Sequence, residues 1–147
     1  MKMYSPEFDD GDHMPEKVGY TRKNLNPELF IENVPGEAES LVLVMDDPDA
    51  VEPAGKVWDH WTVWNIDPEK QRIQRGESPG FEGKNDFGER GYGGPNPPDA
   101  THIYSFRLYA VDTQLELGGD STKQQVLQEI EGNVIDKAEL EGKYDPV

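Results

Sequence analysis

Two of the three histidines in this sequence, His60 and His102, stand beside its most constrained turns, in the company of residues that could orient or supplement an imidazole. The clusters are Asp47-Pro48-Asp49-Ala50, Trp58-Asp59-His60-Trp61, and Gly91-Tyr92-Gly93-Gly94-Pro95-Asn96-Pro97-Pro98 followed by His102-Ile103-Tyr104. Imidazole N–H, tyrosine O–H and backbone N–H groups can hold an anion without any Lys or Arg. A carboxylate beside each histidine raises its pKa and fixes its tautomer, the role assigned to Asp47 and Asp49. The expected chemistry is capture of an anionic group such as a phosphate, with affinity rising as pH falls from about 8 toward about 6.

Each cluster alone has a plainer explanation: a turn that satisfies its own amides, a hydrogen-bonded core histidine, a Gly-Pro run that bends the chain. Their coincidence at strand-to-loop junctions singles them out. A second chemistry uses the same residues, since Asp47, His60 and His102 resemble the two-His, one-carboxylate sets that hold zinc or iron. No third strong ligand or separate general base accompanies them. His13, in a polar early loop, reads as a surface histidine, and Arg90 as a surface ion-pair partner. The carboxylates Glu82 and Asp86, and Asp9-Asp10-Asp12, lack a calcium loop or a catalytic partner and read as solvated surface.

The elements that must position these residues are mostly strands, because Gly and Pro together supply 27 residues spread along the chain. Extended segments are expected at Leu29 to Ile31 and at Leu41 to Asp46, the latter a continuous apolar run buried on both faces. Trp58 to Ile66 reads as a strand with Trp58, His60, Thr62, Trp64 and Ile66 on one face. In the strand His102 to Val111, His102, Tyr104, Phe106, Leu108 and Ala110 share a face, and Arg107 points away from His102. Between these strands, residues 67–101 show no periodicity, and such long loops are usually functional. One helix is signalled by Asp120 or Ser121 as N-cap, a capping box from Ser121 to Gln124 and Gly132 as the stop. A short strand around Leu140 to Tyr144 closes the chain.

At 147 residues the sequence has the length of one domain, 1–147, with one core and no linker. The absence of cysteine excludes disulfides and thiolate chemistry but leaves zinc held by His and carboxylate open. Thirty Asp and Glu against 14 Lys and Arg give a formal charge of -16, which repels nucleic acid and anionic membrane surfaces. The plain reading of that charge is a solvated surface; the sharper one is a high-salt habitat, weakened by the excess of lysine over arginine. No run approaches the roughly 20 apolar residues of a membrane span, and the first residues hold no signal-peptide core, so a cytoplasmic protein without membrane insertion is expected.

The clusters, in this order and spacing, resemble the two signature regions of the phosphatidylethanolamine-binding protein family, in its bacterial and archaeal Raf-kinase-inhibitor-like branch. Asp47-Pro48-Asp49-Ala50 with His60-Trp61 and Asn65-Ile66 matches the first; Gly91-Tyr92-Gly93-Gly94-Pro95, Pro97-Pro98, His102, Tyr104, Phe106 and Leu108-Tyr109-Ala110 match the second. Ser5-Pro6, Phe8, Gly11, Pro15, Asn24, Pro27, Val34-Pro35, Gly142 and Tyr144 extend the likeness over nearly the whole chain. Two departures are Asn96, where many bacterial relatives have cysteine, and Val51, where a proline commonly stands. The resemblance implies a mainly β sandwich: a central antiparallel sheet, a smaller sheet, one or two peripheral helices, and a shallow pocket that accepts phosphate-like groups. It places Asp47, His60, His102 and Tyr104 at the ligand site, with Asp49, Trp58, Gly94 and Pro97 bordering them. The function it implies is a binding module, without cofactor, for phosphorylated small molecules, phospholipid headgroups or phosphorylated partners. Inhibition of a kinase or protease through the 67–101 loop is compatible with that role, and relatives of this branch often look like homodimers.

Overall fold

The apolar run from Leu41 organises the architecture. In the computed structural model, which describes residues 1–147, it lies in β3 (Ser40–Asp47), buried at every position. A strand apolar on both faces needs cover on both. β3 is the middle strand of a five-stranded antiparallel sheet, flanked by β4 (Trp58–Ile66) and β7 (His102–Val111), with β6 (Phe81–Glu82) and β8 (Val134–Tyr144) at the edges. A second antiparallel sheet, of β2 (Leu29–Glu32) between β1 (Lys2–Tyr4) and β5 (Arg72–Ile73), lies over one face, where Leu41, Leu43 and Met45 meet Met3, Leu29 and Ile31. On the other face Val42, Val44 and Trp64 pack with Val126 and Ile130 of α2 (Lys123–Ile130). The result is a mainly β sandwich with two sheets and two short helices, as the family resemblance implied; no helix is long and apolar enough to cross a membrane.

The alternation of β7 is as expected, with His102, Tyr104, Phe106, Leu108 and Ala110 all buried. That of β4 is not. Met45 pairs with Trp61 but Asp46 with Asp59, leaving His60 as the extra residue of a bulge. Asn65 adopts a left-handed φ of 53°, and its side chain both donates to and accepts from the Leu115 backbone at 2.8 Å. Each irregularity reverses the inward–outward parity of the strand beyond it. Trp64 therefore packs on the α2 side and Ile66 on the small-sheet side, so the single face expected for Trp58, His60, Thr62, Trp64 and Ile66 does not exist.

Three other boundaries differ. Thr122 caps α2, with a capping box to Gln125, because Thr122 is the residue in extended conformation directly before the helix. The last strand is eleven residues long and pairs with β7 from Val134 onward; exposed Lys137, Glu139 and Glu141 alternate with buried Ala138, Leu140 and Gly142, an edge-strand pattern that its charge conceals. After a 3-10 turn at Pro48–Ala50, a short helix α1 (Val51–Ala54) ends at Gly55 with φ 79°. Val51 opens this helix with its side chain exposed.

Candidate functional site

The site forms where β3 ends, β4 bulges and β7 begins. Asp47, the last residue of β3, accepts the Asp49 N–H at Oδ1 (2.9 Å) and bonds His102 Nδ1 through Oδ2 (2.6 Å). Asp49 serves a different purpose from that expected: its Oδ2 accepts the Ile103 N–H at 2.8 Å, pinning the turn to β7, and the residue is exposed. The second carboxylate on a histidine is Asp99, whose Oδ1 lies 2.7 Å from His102 Nε2. His102 is thus a buried imidazole between two carboxylates. Burial works against its charge, but the hydrogen bonds to Asp47 and Asp99 outweigh it and raise the pKa above the ordinary 6.5.

His60 has the opposite environment. Its Nδ1–H donates to the Gly93 carbonyl at 2.6 Å, and the Gly93 N–H donates back to the His60 carbonyl at 2.9 Å. Burial pushes its pKa below 6.5, and the Gly93 carbonyl and the Asp47 charge offset this only in part. With Nδ1 as donor, neutral His60 presents Nε2 as an acceptor. The expectation that a carboxylate raises the pKa of both histidines is therefore corrected: a carbonyl faces His60, and Asp99 rather than Asp49 joins Asp47 at His102.

Tyr104 stands between them, its ring edge-on to His60 with centroids 5.2 Å apart. It is fully buried and its hydroxyl has no hydrogen-bond partner in the protein; the same is true of the Trp58 indole N–H. Burial first, and the nearby Asp47 charge second, raise the Tyr104 pKa far above its usual value, so the group remains a donor. An unsatisfied buried donor costs about 1–3 kcal/mol, which makes such a group a ready ligand contact.

These side chains open on a cavity of about 220 Å³ lined also by Ala50, Pro53 and Ala54 from the α1 region, Phe87, and Asn96-Pro97-Pro98. The Gly-Pro segment is held from behind: Gly94 N–H donates to Asn24 Oδ1 (2.7 Å) and Tyr20 N–H to the Pro95 carbonyl (2.9 Å). A Cβ on Gly94 would collide with the Val18 carbonyl oxygen, so only glycine lets the segment approach so closely. Phe87 stacks on Tyr20 and meets His60 and Trp58 edge-on. Its loop is tied by Asn85, which accepts the Phe87 N–H at 2.9 Å and donates to the Gly91 carbonyl at 3.0 Å.

Of the eight residues singled out from the sequence, Asp47, Trp58, His60, Pro97, His102 and Tyr104 line the cavity; Asp49 and Gly94 brace it from outside the wall. Sequence reasoning missed Phe87, Asp99 and the α1 residues. Phe87 gave no signal, whereas Asp99 lies three residues before His102. The metal set of Asp47, His60 and His102 is not formed: both His102 nitrogens face carboxylates, His60 Nδ1 faces a carbonyl, and no group of three or more His, Asp or Glu side chains is placed to hold an ion. Glu82 and Asp86 are ties rather than bare surface, accepting the Trp61 indole N–H (2.6 Å) and the Asp59 N–H (2.7 Å).

The family sequence model described as phosphatidylethanolamine-binding protein matches residues 4–145, which contain the whole pocket. The chain belongs to the phosphatidylethanolamine-binding protein family. It is 40% identical to the UPF0098 protein of Methanothermobacter thermautotrophicus over 151 residues, covering 98% of each chain. A UPF0098 protein of Chlamydia trachomatis is 38% identical over 149 residues, with 99% of each covered. Among solved structures, the Chlamydia trachomatis homologue of the family superposes with a TM-score of 0.94 at 36% identity, covering 99% of this chain and 97% of the other. Escherichia coli YbcL, described as a new member of the mammalian family, gives 0.89 at 28% identity, covering 99% and 98%. Within this phosphatidylethanolamine-binding protein framework, Asn96 stands exposed among the cavity-lining residues.

Proposed function

We propose that the protein is a binding module whose cavity receives an anionic group of the phosphate type. The observation that carries this reading is that Tyr104 and Trp58, each with a buried donor that has no protein partner, line the cavity together with the carboxylate-held imidazole of His102. A phosphate offers several strong acceptor oxygens and matches several donors at once. His60 Nε2 adds an acceptor suited to a protonated phosphate oxygen or to the amine of a headgroup. The apolar collar of Pro53, Ala54, Phe87 and Pro97 suits the organic part of such a ligand, whether a small molecule, a phospholipid headgroup or a phosphorylated protein side chain. Binding, rather than catalysis, is favoured because three of the four imidazole nitrogens in the site already have protein partners. Occupation of a partner's phosphorylated segment is the route by which the protein would act as an inhibitor.

The test is a calorimetric screen of inorganic phosphate, nucleotides and phosphoethanolamine against wild type, His60→Ala and His102→Ala. Loss of about tenfold or more in affinity in both variants is expected, the order of one charge-assisted hydrogen bond. Unchanged binding in both would exclude the cavity as the binding site. Stoichiometric zinc or iron in protein purified without added metal would favour the enzyme reading.

A further inference from the structure

Asp99 differs from Asp47 in its exposure and in its place in a loop rather than a strand. Asp47 is a buried strand residue held by both the Asp49 N–H and His102. Asp99 lies in the loop before β7, its side chain 47% exposed, and it meets the 3% exposed His102 side chain through Nε2. Since Nδ1 of His102 is committed to the buried Asp47, the one imidazole N–H that an external anion could reach is the one Asp99 Oδ1 now holds.

We propose that Asp99 is a tethered competitor: its carboxylate occupies the anion position on His102, and an external anion engages that N–H only after Asp99 has swung into solvent. This inference rests on the reading of the cavity as an anion site and assigns its selectivity. A tethered carboxylate offers the same group as a free carboxylate ligand, at an effective concentration of order millimolar or higher. Monocarboxylates therefore gain nothing by exchange. A terminal phosphate carries close to two charges and three acceptor oxygens, so it competes for the charged imidazole N–H of His102 more strongly than a single carboxylate does while Asp99 is released to water. Asp99 thus selects terminal phosphates over carboxylates.

The experiment compares wild type with Asp99→Ala and Asp99→Asn by calorimetry at neutral pH. The probes are inorganic phosphate and phosphoethanolamine, two sources of the terminal phosphate, together with acetate. If the open state of the gate is populated at about one part in ten, Asp99→Ala binds both phosphates about tenfold more tightly than wild type. It also gains acetate binding that phosphate displaces. Equal or weaker phosphate affinity in Asp99→Ala, with wild-type binding intact, overturns the competitor and leaves Asp99 as a support for His102. Absence of phosphate binding from wild type and both variants overturns instead the anion-site reading beneath it. Long-range proton–nitrogen spectra of the imidazoles provide a control for folding: in ligand-free Asp99→Ala the Nε2 signal of His102 shifts while the Nδ1 bond to Asp47 persists.

Discussion

His102 and His60 respond to folding with opposite signs, and pH separates them. The folded pKa of His102 is raised above 6.5, so its contribution to stability is complete below that value and is lost as pH rises through the folded pKa. The folded pKa of His60 is lowered, so its contribution is present above 6.5 and is lost as pH falls through the folded pKa. The Tm difference between wild type and His102→Gln should therefore shrink as pH is raised from near neutral, and that for His60→Gln should shrink as pH is lowered. Thermal melts at a series of pH values check both, and two differences independent of pH would contradict the assignment. If the cavity is the proposed anion site, phosphate affinity should follow His102 and fall on the alkaline side. The pH dependence of affinity expected from the sequence would then rest on one histidine rather than two.

Strand irregularities and glycine contacts carry the precision of the site. The bulge at His60 turns its imidazole toward Tyr104 and Asp47, while the left-handed Asn65 returns Ile66 to the core. Asn65→Ala removes two hydrogen bonds to Leu115 and the residue type that tolerates this φ, and it should cost about 2–4 kcal/mol in urea unfolding. Asn65→Gly keeps the backbone freedom and should recover about 1 kcal/mol of that; equal losses in the two variants would show that φ is not part of the cost. Gly94→Ala drives a methyl against the Val18 carbonyl and displaces the segment that holds His60. Its expected cost is about 1–3 kcal/mol, together with weakened phosphate binding. Stability and affinity that both survive would mean the segment relaxes freely. The sequence marks these places only as an Asn in a strand and a Gly in a turn, because a bulge is a property of two paired strands.

For the whole molecule the dominant quantity is the net charge of -16, which opposes both compaction and the approach of an anion. Raising salt from about 0.1 M to 1 M shortens the Debye length from about 10 Å to about 3 Å. Surface repulsion is then screened, while the buried pair of His102 and Asp47 is not. Tm should rise with KCl over this range, and phosphate affinity should hold or increase after correction for chloride competition. A steep fall in affinity would place the binding energy in long-range charge rather than in local donors. This behaviour would suit a protein working at high salt, the sharper of the two readings of its acidic composition.

Local pattern by itself determined the β3 run, the inward face of β7 and the proximity of His102 to Tyr104, because strand periodicity and burial are written in near neighbours. The order and spacing of the two signature regions likewise carried the family and the two-sheet architecture. Only the tertiary structure decided which carboxylate meets which histidine. Asp47 lies 55 residues from His102 and Gly93 lies 33 from His60, and contacts over such distances depend on strand register, which one bulge reverses. The same register placed Asp49 on the Ile103 amide and brought Phe87 to the cavity wall, and the loop before β7 laid Asp99 on the second nitrogen of His102.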